Sequence, residues 1–225
     1  MIRGLLVVAF VCLQLVSVAD CRGERRVHRH GLIICSIIIN EITEGRVSLT
    51  RAKEISAAIA NAGNKHFGRV TCGDMWLYMA IVHVESGFRN RVVNRKKACG
   101  LFQVHAPSWA RKFGLSHEDL LDPDTNADAG IRVFKYYLDI YKDLVPTLSA
   151  YNSDDPGAAT RYAKSVLGMK KRIKKRYTEL YKSFRKFDTE AGLSFSLPQP
   201  ADTYLSYLDY RRGNRYARVR VAMPL

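Results

Sequence analysis

Residues 76–88, WLYMAIVHVESGF, contain an apolar run that ends at Glu85 and is followed within two residues by a glycine. A long apolar run closed by a glycine predicts a buried helix whose last turn carries Glu85. A carboxylate in that position is poorly solvated, and because desolvation disfavours the charged form, its pKa should rise. A glutamic acid that keeps its proton near neutral pH can donate that proton to a leaving group.

The length and composition of the chain fit one domain of ordinary size with additional tails. Its 225 residues are 47% hydrophobic, enough for a substantial core, and its formal net charge is +15. So large a positive charge is typical either of a soluble basic surface or of a protein with a polyanionic partner. Nucleic acid, an anionic membrane and the bacterial cell wall all fit that description, so the charge alone does not choose between them.

The N-terminus has the pattern of a secretory signal peptide. Arg3 precedes an apolar stretch over residues 4–16, and Ser17 and Ala19 are small residues at the two positions that determine cleavage. We therefore predict a signal peptide over residues 1–19 and an exported protein that is periplasmic or secreted. The alternative is an uncleaved N-terminal membrane anchor, although the apolar stretch is short for a span, which takes ~20 residues.

Cleavage of the signal peptide would remove one cysteine and leave four: Cys21, Cys35, Cys72 and Cys99. An even number of cysteines in an exported chain permits disulfides, but four cysteines allow three pairings and the sequence does not select one. A bridge between Cys72 and Cys99 would brace the turn after the apolar run, because these two residues bracket it. The cysteine spacings form no zinc site, and we expect neither a metal nor another cofactor.

The rest of the pattern is helical, with no convincing strand alternation except over residues 216–221. A charged linker over residues 20–30 leads into a domain over residues 31–187, and a Tyr-, Arg- and Pro-rich extension over residues 188–225 follows. Helices are predicted at residues 31–39, after Ser48, up to Glu85, after the turn at residues 122–126, from Leu144 to Asn152 and over residues 161–186, with a loop over residues 61–73.

Three further motifs follow Glu85 in order. They are GLFQ at residues 100–103, LDPDTNADAG at residues 121–130 and AYN at residues 150–152. Together with ESGF at residues 85–88, they resemble the soluble lytic transglycosylase domain. The resemblance covers roughly residues 70–183, and its specificity comes from four pieces in the correct order at fitting spacing.

The resemblance implies an all-α, lysozyme-like domain with a cleft that binds peptidoglycan strands. It implies that Glu85 first acts as an acid and protonates the oxygen of the bond between N-acetylmuramic acid and N-acetylglucosamine. As a base, Glu85 then takes the proton of the muramic C6 hydroxyl, which closes a 1,6-anhydro ring. The resemblance also implies a set of substrate-binding residues, with the Tyr151 hydroxyl available to Glu85 or to the glycan: Ser86, Phe102, Gln103, Tyr151 and Asn152.

The distribution of carboxylates bears on how a glycan would be cut. Most glycosidases use two carboxylates, yet no Asp or Glu occurs from Ser86 to His117. We therefore favour a mechanism with one carboxylate, in which the N-acetyl group of the substrate attacks or stabilises the anomeric carbon in place of a second carboxylate. A lysozyme-type hydrolase is the alternative, and a second carboxylate could come from Asp122, Asp124, Asp154 or Asp155.

Residues 161–186 are strongly basic. They hold eleven Lys or Arg against one acid, Glu179, and apolar residues recur every three or four positions from Val166 to Phe184. We expect this helix to pack its apolar stripe on the domain and to present its charges to the anionic wall. A non-catalytic basic module that binds the cell wall or nucleic acid is a third reading, although no specific nucleic acid is expected. A cell-envelope assembly for secretion, conjugation or phage entry is compatible with the sequence as a further partner.

Overall fold

The computed structural model describes residues 29–190, with the exception of residues 154, 156, 158 and 159. The predicted signal peptide and Cys21 lie outside the described residues, as does Asp154. So do most of the charged linker over residues 20–30 and most of the extension over residues 188–225, with its possible strand. What the sequence predicts for these segments stays a prediction.

Seven α-helices and one short hairpin make up the described part of the chain. The helices are α1 (Arg29–Ile42), α2 (Leu49–Phe67), α3 (Cys72–Ser86), α4 (Arg111–Phe113), α5 (Pro123–Tyr141), α6 (Leu144–Ser153) and α7 (Thr160–Glu190). The hairpin pairs β1 (Ala98–Cys99) with β2 (Val104–His105) in antiparallel register, a π-helical turn (Ala106–Ala110) precedes α4, and a 3-10 turn (Asp119–Leu121) precedes α5. The all-α prediction is confirmed. The hairpin was not predicted, because two-residue strands are too short to show alternation.

The chain divides into two compact units, Met1–Tyr177 and Thr178–Leu225, and the boundary falls inside α7. In the first unit, α2 packs against both α1 and α5, and α5 packs against α6. In the second unit, residues 178–190 continue as helix. Among the helices described, none is long and apolar enough to cross a membrane.

The apolar run at residues 31–39 lies inside α1, as predicted, and Ile34, Ile38 and Ile39 are fully buried. The helix predicted after Ser48 is α2, and Ser48 is its N-cap residue. The Ser48 hydroxyl accepts a hydrogen bond from the backbone N–H of Arg51, which satisfies one of the donors that a helix start leaves unpaired.

The loop predicted over residues 61–73 is wrong in its first half, because α2 continues to Phe67. The glycine that suggested the loop, Gly63, is a helical residue required by close packing. A Cβ atom at Gly63 would lie 2.3 Å from Cγ2 of Val70. The sequence shows a glycine but not the neighbour that requires it.

The helix that carries Glu85, α3, is buried along most of its length, from Met75 to Val82. Thr71 is its N-cap residue and forms a reciprocal capping box with Asp74. At the other end, Gly87 adopts a left-handed conformation with φ 58°. Glycine adopts this conformation at little cost, so the helix stops directly after Ser86.

A buried asparagine attaches the hairpin to α5. The side-chain oxygen of Asn126 accepts from the backbone N–H of Phe102, and its amide donates to the carbonyls of Cys99 and Leu120, each over 2.8 Å. Gly100 has φ 72°, and a Cβ atom there would lie 2.2 Å from Nδ2 of Asn126. The motifs at residues 100–103 and 121–130 are therefore two halves of one packed unit.

The basic helix α7 buries one side in the first unit. Ala163, Val166 and Ile173 are almost fully buried, whereas Lys171 and Lys175 are exposed. The predicted apolar stripe is therefore confirmed for this part of the helix. The charges that face solvent create a strongly cationic surface.

Candidate active site

Glu85 lies on the last turn of α3, where the helix dipole disfavours a negative charge. Burial raises its pKa from the ordinary 4.5 to about 7, and a hydrogen bond from the Tyr162 hydroxyl opposes part of that rise. The Tyr162 oxygen lies 2.6 Å from Oε1 of Glu85. The direction of the shift agrees with the expectation from the sequence. At neutral pH a large share of the molecules therefore holds Glu85 as a neutral acid.

A cleft of about 490 Å³ opens beside Glu85. Its wall comes from the end of α3, the hairpin region, α5 and α6. The structure thus brings together four of the residues predicted from the sequence. The described residues that line the cleft are Glu85, Asn94, Lys96, Ala98, Gln103, Val104, His105, Trp109, Val133, Tyr151, Asn152 and Ser153.

Two partly buried tyrosines flank the glutamate, and one of them bonds to it. The Tyr151 hydroxyl donates to the carbonyl of Phe102 over 2.8 Å, so it is committed to the backbone. Tyr162, on the first turn of α7, donates to Glu85 instead. Burial and the nearby charge of Glu85 raise the pKa of both tyrosines well above the ordinary value, so both remain neutral hydroxyl groups.

Tyr162 was not among the site residues predicted from the sequence. The residue lies 77 positions from Glu85, and neither spacing nor composition connects the two. One signal was available, since Tyr162 precedes Val166 by one helical turn and extends the apolar stripe toward the start of α7.

Gln103 lines the cleft and also holds its wall together. Its backbone is left-handed, with φ 46°, which is uncommon for a residue other than glycine. The side-chain amide donates to the carbonyls of Gly100 over 2.9 Å and Val92 over 3.1 Å. These two bonds tie the loop of residues 89–97 to the turn of the hairpin.

Two residues predicted to bind substrate do not reach the cleft. Ser86 is buried, and its hydroxyl donates to the carbonyl of Val82 one turn earlier in α3. The Phe102 side chain is fully buried, and a Cβ atom on Gly130 would lie 2.3 Å from it. Both side chains are buried in the core and do not line the cleft, so they support the site through packing.

The cleft also contains cationic and aromatic residues that the motifs did not identify. Lys96 comes from the basic loop over residues 89–97, His105 is the last residue of β2, and Trp109 lies in the π-helical turn that follows. Nδ1 of His105 lies 2.8 Å from the Ser108 hydroxyl. A wall with an ammonium group and an indole ring suits a sugar chain that carries carboxylates.

Three of the four candidates for a second carboxylate lie elsewhere in the described structure, and the fourth, Asp154, is outside the described residues. Asp122 caps α5 by accepting from the backbone N–H of Thr125. Asp124 lines a different depression, together with Lys65 and Asp128. Asp155 is exposed and accepts from a backbone N–H two residues further on. Among the described residues of the cleft wall, Glu85 is the single carboxylate.

The thiols of Cys72 and Cys99 do not form the bridge that the sequence allowed. Sγ of Cys72 lies 3.6 Å from the Tyr177 hydroxyl, whereas Sγ of Cys99 lies 3.2 Å from Nδ1 of His117. The two sulfurs therefore face different neighbours, and other contacts brace the turn after Glu85. Within the described ranges, no group of three or more His, Cys, Asp or Glu residues could hold a metal ion.

Comparison with known proteins agrees with this geometry. A family model described as the transglycosylase SLT domain matches residues 73–174. A search of solved structures finds no match. The match supports a transglycosylase in the general sense, with peptidoglycan as its substrate. The matched segment contains Glu85 and every described residue of the cleft wall. The chain therefore carries, over residues 73–174, a transglycosylase SLT domain of lysozyme-like, all-α type, and the cleft lies within that domain.

Proposed function

We propose that the protein is a lytic transglycosylase that cleaves the bond between N-acetylmuramic acid and N-acetylglucosamine and leaves a 1,6-anhydromuramic end. The observation that carries this proposal is the position of Glu85. It is the single carboxylate among the described cleft residues, and burial gives it a pKa of about 7. One carboxylate with that pKa can serve both as the acid and, after it loses the proton, as the base.

In the first step, Glu85 gives its proton to the glycosidic oxygen as the bond to the muramic C1 breaks. Positive charge develops at C1, and the carbonyl oxygen of the neighbouring N-acetyl group of the substrate stabilises it. Tyr162 holds Oε1 of Glu85 by its hydrogen bond and stabilises the carboxylate that this step produces.

In the second step, the carboxylate of Glu85 takes the proton from the muramic C6 hydroxyl. The C6 oxygen then forms a bond to C1, which closes the 1,6-anhydro ring and returns Glu85 to its neutral form. No water is consumed, so product and substrate have the same composition.

Digestion of purified peptidoglycan in water enriched in the heavy oxygen isotope tests the proposal. A lytic transglycosylase produces muropeptides that are lighter by one water than hydrolysis products and that carry no label at muramic C1. A lysozyme-type hydrolase produces reducing muramic ends that carry the label, and this result would contradict the proposed reaction. Glu85→Gln protein, prepared in the same way, controls for contaminating activities.

We also infer that the protein is exported and acts in the periplasm or outside the cell. The sequence of residues 1–19 and the location of peptidoglycan support this inference. Fractionation of cells that produce the full chain tests it, with N-terminal sequencing of the exported form. Cleavage after Ala19 is the expected result. An intact N-terminus in the membrane fraction would identify an anchor, and protein confined to the cytoplasm would refute export.

A further inference from the structure

A second hollow, of about 550 Å³, lies apart from the cleft and has cationic walls. Its polar lining comes from His83 on α3 and from Lys164, Ser165 and Arg172 on α7, with Gly168 between the two cations. It shares no described lining residue with the cleft that contains Glu85. No carboxylate occurs among its described lining residues, so the hollow has a positive charge.

The glycine in this hollow has no structural explanation. Gly168 lies in the middle of α7, where glycine is the least favourable residue after proline. At Gly63 and Gly130 an added Cβ atom would come within 2.3 Å of a neighbour, but at Gly168 it would meet nothing described within 4 Å. Neither packing nor a positive φ requires a glycine there. Its effect is to keep the floor of the hollow open.

The two cations are arranged on either side of that opening. Lys164 and Arg172 each lie one helical turn from Gly168, so they are about 12 Å apart along the axis of α7 and can both reach toward the glycine. Both are exposed, and neither takes part in the ion pairs found among the described residues. Ser165 is less available, because its hydroxyl donates to the carbonyl of Arg161.

His83 lines the same hollow with an aromatic ring. Its Nδ1 is buried and has no hydrogen-bond partner among the described residues. Burial, together with the nearby Arg172 and Arg46, lowers the pKa of His83, so the ring is neutral at pH 7. The positive charge of the hollow therefore comes from Lys164 and Arg172 and not from His83.

We propose that this hollow binds a phosphoryl group, held between Lys164 and Arg172 above Gly168. A phosphate monoester carries about −1.5 to −2 charges at pH 7, which matches two cations, whereas a carboxylate would neutralise only one. Arginine also offers a planar fork that fits two phosphate oxygens, and lysine provides a point charge. The proposal concerns a site separate from Glu85 and does not depend on the reaction proposed above.

Calorimetric titration of the full chain with inorganic phosphate, at constant ionic strength, tests the proposal. Wild-type protein should bind phosphate, and the double variant Lys164→Gln/Arg172→Gln should bind it at least roughly tenfold more weakly, because two charge-assisted contacts are lost. The matched control is Lys171→Gln/Lys175→Gln, which removes the same charge from exposed positions of the same helix outside the hollow. The control should bind phosphate as the wild type does.

A larger side chain at position 168 would fill the floor of the hollow, which provides a test that does not alter charge. Gly168→Leu should abolish phosphate binding while it raises the melting temperature, because leucine is a better helix former than glycine. Absence of phosphate binding by the wild type, equal losses in the two double variants, or acetate binding as tight as phosphate would each overturn the proposal. Unchanged phosphate binding by Gly168→Leu would do the same.

The source of the phosphoryl group is distinguished by a second titration, with vesicles of phosphatidic acid, whose headgroup is a phosphate monoester, and of phosphatidylcholine. If the group belongs to a lipid headgroup, the double variant in the hollow loses binding to phosphatidic acid vesicles and the matched control retains it. If the group belongs to a soluble molecule, the two double variants bind the vesicles equally. In both cases the double variant in the hollow still binds inorganic phosphate more weakly than the matched control does.

Discussion

Asp74 and Glu85 lie about three turns apart on the same helix. The two ends of this helix have opposite effects on the charge of a carboxylate. Asp74 is at the start of α3, where its carboxylate accepts from the backbone N–H and the hydroxyl of Thr71 over 2.9 and 2.6 Å. Glu85 is at the end, half-buried, with one tyrosine hydroxyl as its described partner and a pKa of about 7. The helix start stabilises a charged group, and the buried helix end favours a neutral one. The position of a carboxylate on this helix therefore decides whether it serves stability or chemistry.

The largest expected effect is on turnover. Glu85→Gln keeps the shape of the side chain but has no acidic proton, and general acid–base catalysis contributes ~10²–10⁴-fold. Because one residue serves as acid and base, we expect a loss near the upper end of that range in the release of soluble muropeptides. Wild-type levels of binding to whole peptidoglycan would show that the fold is intact. Activity within a few-fold of wild type would mean that another residue is the acid.

The same substitution should stabilise the protein at high pH. In the unfolded chain the pKa of Glu85 is near 4.5, and in the folded protein burial raises it to about 7. As the pH rises between these values, the unfolded state loses its proton first, so the wild type loses up to about 3 kcal/mol of stability. Glu85→Gln has no such proton. Its free energy of unfolding, measured by denaturant titration, should match the wild type at pH 4 and exceed it at pH 8.

Removal of the Tyr162 hydroxyl should shift the pH dependence of activity. The acid must be protonated, so wild-type kcat/KM falls as the pH rises through about 7. The hydrogen bond from Tyr162 favours the charged form of Glu85, so Tyr162→Phe raises the pKa of Glu85 further and moves this loss to higher pH. The maximal rate should fall by roughly tenfold, because the carboxylate formed in the first step loses a bond to a charged group.

Tyr151→Phe is the matched control for that experiment. It removes a hydroxyl that is equally buried and lies close to Glu85, but that donates to the carbonyl of Phe102. The fall of kcat/KM should therefore stay at the wild-type pH. A shift as large as that of Tyr162→Phe would show that the contact between Tyr162 and Glu85 has no special role.

The parts of this site that could be predicted are those encoded within one helix or turn. The apolar run, Glu85 and Gly87 lie within a few residues of one another, so burial, the carboxylate and the helix end could be read together. The partner of Glu85 lies 77 residues away on another helix, and only the folded chain shows that Tyr162 reaches it. The motif at residues 100–103 shows the same limit, because its glycine and its phenylalanine are explained by α5.

The directions in which the side chains of a motif point also could not be predicted from the sequence. Gln103 and Phe102 are neighbours, yet Gln103 lines the cleft and Phe102 is buried beneath it. A left-handed residue at Gln103 separates the two directions, and such a backbone conformation at a residue other than glycine has no clear sequence signal. Asn126 likewise belongs to a motif that the sequence shows, but the sequence does not show that its side chain forms hydrogen bonds with three backbone groups.

The smallest expected effect is at the other end of α3. Asp74→Asn makes the same chemical change as Glu85→Gln, from a carboxylate to an amide, at a position where the carboxylate accepts hydrogen bonds at the helix start. An amide oxygen can still accept but carries no charge, so we expect a loss of about 0.5–1 kcal/mol of unfolding free energy at pH 7. Turnover per folded molecule should not change, because Asp74 is not among the residues that line the cleft. The two amide variants should therefore change stability at pH 8 in opposite directions. If Glu85→Gln also proved destabilising there, the buried end of α3 would not oppose charge, and the case for Glu85 as the neutral acid would fail.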